Sequence, residues 1–377
     1  MSVGSARRFR CATHPTTELD CLAAVQPRKV SFILFFETTG IGSGLYLHKG
    51  NQGSLDFAYS KMPNEPTLVF VPGSWHRPTC YDTLIELIEP KLKCVAVSLP
   101  TTAGNPEATF KDDVDAAQEL ISVETRSGRD VVVIAHSYGG IAGSSAIKGF
   151  AKSKNGSGSE GGHVIGLILI ASGYNLTGVA FMDPFFGHPP PSWRVNKETG
   201  YADIVTPPRE FFYHDLPQSE AEYRVSQLTT QSLKALFEGR EYSYAGWRDV
   251  PSWYIGTVED RGLPVLAQRM SVGMAREMGA SVEHRELQTS HSPFLSQPAL
   301  TAKIIFEAVA AFMDSDNGKS IFQSQETENS AIIRPGLALF QPLTWFKFGI
   351  PMAFGRLLGR GILLYSWVRR LWSRGSR

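Results

Sequence analysis

Five short apolar runs recur from residue 67 onward: TLVFVPG, KCVAVSLP, VVVIAHS, VIGLILIAS and PSWYIGTVED. Each ends in turn residues, and such runs suit strands buried on both faces of a parallel sheet. Helix-like stretches separate them at 79–92, 110–126, 138–151 and 264–279. One of these, DDVDAAQELISVETRSG, carries acids in its first turn and Gly128 just past its end, where each favours a helix. Strands that alternate with helices predict an α/β fold: a mostly parallel central sheet flanked by helices and joined by right-handed crossovers.

Two segments interrupt the rhythm. KSKNGSGSEGGH, residues 152–163, reads as a flexible polar loop. Residues 174–250 are long and rich in aromatics and prolines, as in FFGHPPPSW and EFFYHDLP, with a helical stretch near 219–238. They fall between two sheet strands and read as an inserted lid. The expected organisation is an N-terminal extension over 1–61, an α/β domain over 62–315 containing the lid, and a linker with a basic tail over 316–377. No repeat of fixed period is visible.

Composition narrows the function classes. The 377 residues are 42% hydrophobic and 19% charged, with a formal net charge of +1. No global field argues for nucleic acid. The four cysteines, Cys11, Cys21, Cys80 and Cys94, lack metal-ligand spacing and form no disulfide framework. Cys94 lies in an apolar run and is expected to be a buried thiol. The only early apolar run, VSFILFF, is short and is stopped by Glu37, so it makes no convincing secretory signal, and a cytoplasmic setting is expected. No ligand cluster or phosphate loop appears, and no metal or organic cofactor is implied.

The run VVVIAHSYGG turns from a buried strand into a small-residue helix at Ser137. A serine there is held above the sheet with a helix N-terminus behind it. This is the small-x-Ser-x-Gly pattern of a nucleophile on a sharp turn, with Ala135 in the first small position. The free amide of Tyr138 and the helix dipole favour negative charge beside Ser137.

A serine hydroxyl needs a base, and the base needs an orienting acid, in chain order serine, acid, histidine. Of the histidines after Ser137, His163 sits in the linker loop and His188 and His214 in the lid. His284 lies in the alternating segment SVEHRELQ and is expected on a solvated strand face. His291, in QTSHSPFLSQP, stands where a strand gives way to the last helix, at the sheet edge that carries sites in open α/β folds. The preceding strand ends in Glu259 and Asp260. Adjacent residues point in different directions, so only one faces the imidazole. Asp260 is the choice, Glu259 the competitor, and a surface pairing of Asp260 with Arg261 the alternative. The loop FVPGSWH supplies Gly73, whose backbone freedom lets the Ser74 amide join that of Tyr138 as an oxyanion donor. Trp75 and His76 then line the mouth, either contacting substrate or packing against the lid.

With these residues placed, residues 65–315 resemble the α/β-hydrolase superfamily. The resemblance is to the small-ester branch of plant methylesterases and hydroxynitrile lyases and to filamentous-fungal relatives. PGSWH, AHSYGG, TVEDRGLP and TSHSPFLSQP carry it. It implies Ser74 as oxyanion amide, Ser137 as nucleophile, Asp260 as acid and His291 as base, acting on a small-molecule ester, thioester or lactone. The chain departs from the family in having Pro72-Gly73 where His-Gly is usual, Ala135 in the elbow, and a longer lid and termini. Two other functions fit the same fold. A hydroxynitrile-lyase reaction would need a cation near the triad, and the motif loops hold no compelling lysine. A ligand-sensing receptor need not keep all of Ser137, Asp260 and His291.

The tail has a chemistry of its own. After Glu328 it holds eight bases and no acid, so it is +8 and the rest of the chain −7. Its longest uncharged stretch is too short to span a bilayer, which needs ~20 residues. As a helix over 352–374 it gathers Phe354, Leu357, Leu358, Ile362, Leu364, Tyr365, Val368 and Trp372 on one side. Arg356, Arg360, Arg370 and Arg374 gather on the other. Such a helix lies on a membrane surface or packs back onto the acidic body. On either reading it is expected to be dispensable for chemistry.

Overall fold

A computed structural model describes residues 65–152, 161–317, 331–337 and 341–375. The N-terminal extension, Cys11, Cys21 and most of the 152–163 loop lie outside them. The strands and helices run, in chain order, β1 (Thr67–Val71), α1 (Asp82–Ile88), β2 (Cys94–Ala96), α2 (Phe110–Arg126), β3 (Val131–His136), α3 (Gly139–Ala146) and β4 (Val164–Ile170). The excursion between β4 and the next sheet strand holds β5 (Trp193–Asn196), β6 (Tyr201–Ile204), α4 (Pro208–Phe212), α5 (Gln218–Ser226) and α6 (Leu233–Phe237). The chain then continues through β7 (Ser252–Thr257), α7 (Val265–Glu277), β8 (Val282–Leu287), α8 (Pro293–Ser296) and α9 (Pro298–Asn317). It ends with β9 (Ile332–Ile333), α10 (Pro342–Thr344) and α11 (Ile350–Gly375), with a π-helical turn over Trp345–Gly349 leading into α11.

Seven strands form one sheet in the order β2-β1-β3-β4-β7-β8-β9. All neighbours are parallel except β8 and β9, which pair antiparallel. β1, β3 and β7 are buried along their whole length, as strands covered on both faces must be. The chain reverses direction across the sheet at β1, which sends β2 to one side and β3 to the other. Clefts of this kind, outside the carboxyl ends of the strands, hold sites in open sheets. α2 begins with a capping box, in which the Thr109 side chain accepts from the Asp112 amide and the Asp112 carboxylate accepts from the Thr109 amide.

Several expectations change. The helical stretch expected near 219–238 is two helices, because Thr229 and Ser232, between them, turn their backbone donors to the body. Thr229 N–H donates to the Trp75 carbonyl (2.8 Å) and Ser232 N–H to that of Thr101 (3.0 Å). The excursion between β4 and β7 also contains a hairpin, β5–β6, that the sequence pattern did not mark. Cys94 is half-buried rather than buried.

His284 is not on a solvated face but 3% exposed. Val282, His284 and Glu286 share the face of β8 that lies under α7. There Arg269 of α7 grips Glu286 with two bonds, Nε to Oε1 at 2.8 Å and Nη2 to Oε2 at 2.7 Å. The polar face that looked solvated is an internal ion pair. His284 lies 3.4 Å from Glu286 Oε1 without hydrogen-bond geometry. Burial, reinforced by Arg276, Arg269 and Arg285, pushes its pKa down to about 3, so it is neutral.

The tail is bound to the body. Arg269 Nη1 donates to the Lys347 carbonyl at 2.9 Å and its guanidinium stacks on Phe348 at 4.7 Å. Phe348 and Met352 are buried. Removing the tail would uncover an ion pair one residue from Gln268, which bonds Asp260. The segment therefore packs as part of the folded body.

Candidate active site

Ser137 stands between β3 and α3 with φ +52°, a left-handed backbone that costs a residue with a side chain ~1–2 kcal/mol. The sheet and helix hold it there. Its amide still bonds across to Ile170 O (3.0 Å), while its carbonyl already accepts from Gly140 N–H (2.9 Å) and from Ser172 Oγ (2.6 Å). Small residues allow this compression. A Cβ at Gly139 would lie 2.5 Å from the Val71 carbonyl oxygen, and one at Gly140 2.8 Å from Ser172 Cβ. Gly143 explains how Ala135 is tolerated where glycine is usual. A Cβ on Gly143 would sit 3.0 Å from that of Ala135, so the glycine has moved across the helix–strand contact.

His291 and Asp260 meet through Nδ1 and Oδ2 at 2.8 Å, both nearly buried. The carboxylate is held by four more donors. Thr257 Oγ1 (2.7 Å) and Gln268 Nε2 (3.1 Å) reach Oδ2, and the amides of Gly262 and Leu263 (2.7 Å each) reach Oδ1. Glu259 points elsewhere. Its carboxylate accepts from Gln288 Nε2 and its carbonyl from His214 Nε2. Arg261 pairs with Glu210 of the lid, not with Asp260.

Because Nδ1 of His291 must donate to the carboxylate, Nε2 is the nitrogen left to accept a proton. No hydrogen bond joins it to Ser137 Oγ in this structure; unliganded catalytic pairs are often long until substrate arrives. His136, the residue next to Ser137, ties the two parts together. Its Nε2 donates to the His291 carbonyl at 2.9 Å, and the two rings lie 4.6 Å apart. Burial first, then His291 and His76, hold the His136 pKa well below the ordinary value, so a single neutral ring bridges strand and loop.

The loop after β1 crosses directly over this point. A Cβ at Gly73 would lie 3.0 Å from both Ser137 Cβ and His136 Nδ1, so a larger residue would crowd both side chains. Neither the Ser74 nor the Tyr138 amide donates to another group among the described residues, which leaves both available to a ligand. Tyr138 is anchored from its far end. Its hydroxyl donates at 2.7 Å to Asp113, which also accepts from Thr101 N–H (3.1 Å) and Oγ1 (2.6 Å). Burial raises the Asp113 pKa to about 6 despite those bonds.

Trp75 and His76 pack against the excursion between β4 and β7, and each has a polar partner there. Trp75 Nε1 donates to the Ala202 carbonyl (2.9 Å), and its ring packs on Trp193 and Phe212. His76 Nδ1 donates to Ser74 O (2.7 Å), so Nε2 accepts from the Tyr213 hydroxyl (2.8 Å). Burial pushes the His76 pKa down to about 4, with His291 adding to the effect and the Ser74 bond opposing it. The excursion between β4 and β7 also clamps the loop that carries His291: Asp215 accepts from Thr289 Oγ1 and Ser290 N–H, both at 2.8 Å. Sequence reasoning did not mark His136, Asp113, Asp215 or Gln268. Only His136 had a visible signal, a histidine ending a buried apolar strand. The other three act through partners 25 or more positions away, or through a helix face that periodicity cannot orient. Among the described residues no group of three or more His, Cys, Asp or Glu is placed to hold a metal ion.

Residues 68–304 match the model of a family described as "Alpha/beta hydrolase family". The chain is similar to "Alpha/beta hydrolase nvfD" of Aspergillus novofumigatus, at 28% identity over 65% of this chain and 96% of that protein. It is also similar to "Probable hydrolase R7" of a Phoma species, at 25% identity over 64% and 98%. Among solved structures, the Arabidopsis methylesterase MES16 superposes with a TM-score of 0.51 at 18% identity, over 65% of this chain and 99% of that one. Polyneuridine aldehyde esterase does so with a TM-score of 0.51 at 19% identity, over the same shares. Identities this low establish a shared fold alone.

Proposed function

The chain belongs to the alpha/beta hydrolase family, and from that premise we propose that it is a serine hydrolase that cleaves a small apolar carboxylic ester through an acyl-enzyme. The observation that carries the reading is the linkage of His291. Its ring is bonded to Asp260, and its carbonyl is bonded to the residue preceding Ser137. Asp260 fixes the tautomer of His291, and Nε2 takes the Ser137 proton as Oγ attacks the ester carbonyl. The amides of Ser74 and Tyr138 receive the developing oxyanion. Collapse expels the alcohol with the proton held by His291. Water, activated by the same imidazole, then releases the acid.

The apolar substrate class is supported by the aromatic cluster that Trp75, two residues past Gly73, forms with Trp193 and Phe212 of the expected lid. The test is covalent labelling with a fluorophosphonate probe, paired with p-nitrophenyl acetate turnover. Wild type should be labelled and active. Ser137→Ala should be unlabelled and several orders of magnitude slower, since such groups act as a unit. Equal labelling of both proteins would refute the nucleophile. An unlabelled, inactive wild type would return the pocket to ligand sensing.

A further inference from the structure

The tail helix docks in an unexpected way. The apolar stripe legible in the sequence is not the face that α11 turns toward the body. The contact is made by its glycines, with Met352, Ile362 and Leu363 packed beside them. A Cβ at Gly355 would lie 2.8 Å from the Met270 carbonyl carbon, and one at Gly359 3.0 Å from the Met274 carbonyl oxygen. From the other side, a Cβ at Gly273 of α7 would lie 2.9 Å from the Met352 carbonyl carbon. Two helices thus meet backbone to backbone. Arg360 adds a 2.6 Å ion pair with Glu277 at the edge.

Docking through this face leaves most of the large side chains outside. At ~100° per residue, Ile350, Phe354, Leu357, Leu358, Leu364, Tyr365 and Val368 fill an outward arc of about 120° opposite the glycines. Leu343, Phe346, Phe354, Leu357, Leu364 and Tyr365 are each more than 60% exposed. An apolar surface of this extent is uncommon on a protein that stays in water. Its chemistry is specific. Arg356 and Arg360 flank the arc on one side, with Trp367 between them. The sequence from residue 329 to 377 contains no acid and eight bases. Trp and Tyr beside leucines, bordered by arginines without acids, match the boundary between lipid headgroups and chains. No helix among the described residues is long and apolar enough to cross a membrane, so α11 would lie in the plane of the surface.

We propose that the outward arc of α11 is a monotopic docking surface for an anionic phospholipid membrane, with the glycine stripe fixing the hydrolase domain above it. This assignment stands on residues separate from Ser137, Asp260 and His291, and it is read without an activity assay.

The experiment mixes the full-length protein with vesicles of phosphatidylcholine, with and without phosphatidylserine, at low and high salt. Wild type should co-sediment with the anionic vesicles, most strongly at low salt. The triple variant Phe354→Ser/Leu357→Ser/Leu364→Ser should partition at least ~10-fold less, since each apolar side chain entering the interface contributes. It should melt at the wild-type temperature, because the three positions face away from the contact. Arg356→Ala should weaken binding to the anionic vesicles by about fivefold and leave neutral vesicles unchanged. Wild type that stays in the supernatant at low salt, or a triple variant that sediments like wild type, would overturn the proposal. A wild-type dimer that the triple variant disperses, without vesicle binding, would overturn it too and assign the arc to a second copy of the chain.

Discussion

Replacing Asp260 by asparagine separates two costs that the structure allows to be counted. Oδ1 faces two backbone amides, Gly262 and Leu263, that cannot turn away. An asparagine must therefore keep its oxygen there and present its NH2 to the other three donors. Thr257 can rotate its hydroxyl and accept instead. Gln268 loses one contact at 3.1 Å but keeps the carbonyls of Leu263 (2.7 Å) and Thr257 (3.3 Å). His291 can accept at Nδ1 only by moving its proton to Nε2. Fold stability should thus fall by only about 1–3 kcal/mol, the order of one hydrogen bond to a charged group. Catalysis suffers more, because a protonated Nε2 cannot take the Ser137 proton. A wrong tautomer costs ~10⁴ in turnover in serine hydrolases, or about 5.5 kcal/mol of barrier. Glu259→Gln, at a carboxylate that accepts from Gln288 and not from His291, should keep more than about half of the wild-type rate. The assay is p-nitrophenyl acetate turnover, with urea unfolding of the same preparations. An Asp260→Asn enzyme within about tenfold of wild type, or a larger loss from Glu259→Gln, would refute the assignment of the acid.

Two further perturbations probe the supports. Gly139→Ala drives a methyl onto the Val71 carbonyl oxygen at 2.5 Å, where only backbone can yield; it should lower stability by ~2 kcal/mol or more and disturb the Ser74 loop, read by thermal melting with turnover. Asp113 makes a pH-dependent contribution. Its folded pKa of about 6 exceeds the ordinary 3.8, so the native state holds a proton that the unfolded chain has released. The associated stability is present below pH ~4 and is lost as pH rises through ~6, by up to about 3 kcal/mol. Asp113→Asn should flatten the urea-unfolding profile across that window, and an unchanged slope would rule the group out.

Near-neighbour patterns were enough for much of this protein. The alternation of buried runs and helical stretches dictated the parallel sheet, because whether a strand is covered on both faces shows in its own side chains. The turn at Ser137 was legible because its requirements, small residues around one polar side chain at the end of a strand, lie within ten consecutive positions. The positions of Asp260 and His291 followed from strand ends and chain order. Choices between partners were not legible. Glu259 and Asp260 are chemically equivalent in a string of letters, and only the amides of Gly262 and Leu263 aim one of them at the imidazole. His284 looked solvated until Arg269, from the preceding helix, supplied the counter-charge for Glu286 beside it. Trp75 and His76 found their partners in the lid, more than 100 positions away. The tail's periodicity correctly gave a helix with an apolar arc, yet it assigned that arc no direction. Backbone contact through Gly355 and Gly359 set the rotation of α11, because glycine lets the carbonyls of Met270 and Met274 approach where a side chain would stand, and that proximity exists only once both helices are in place.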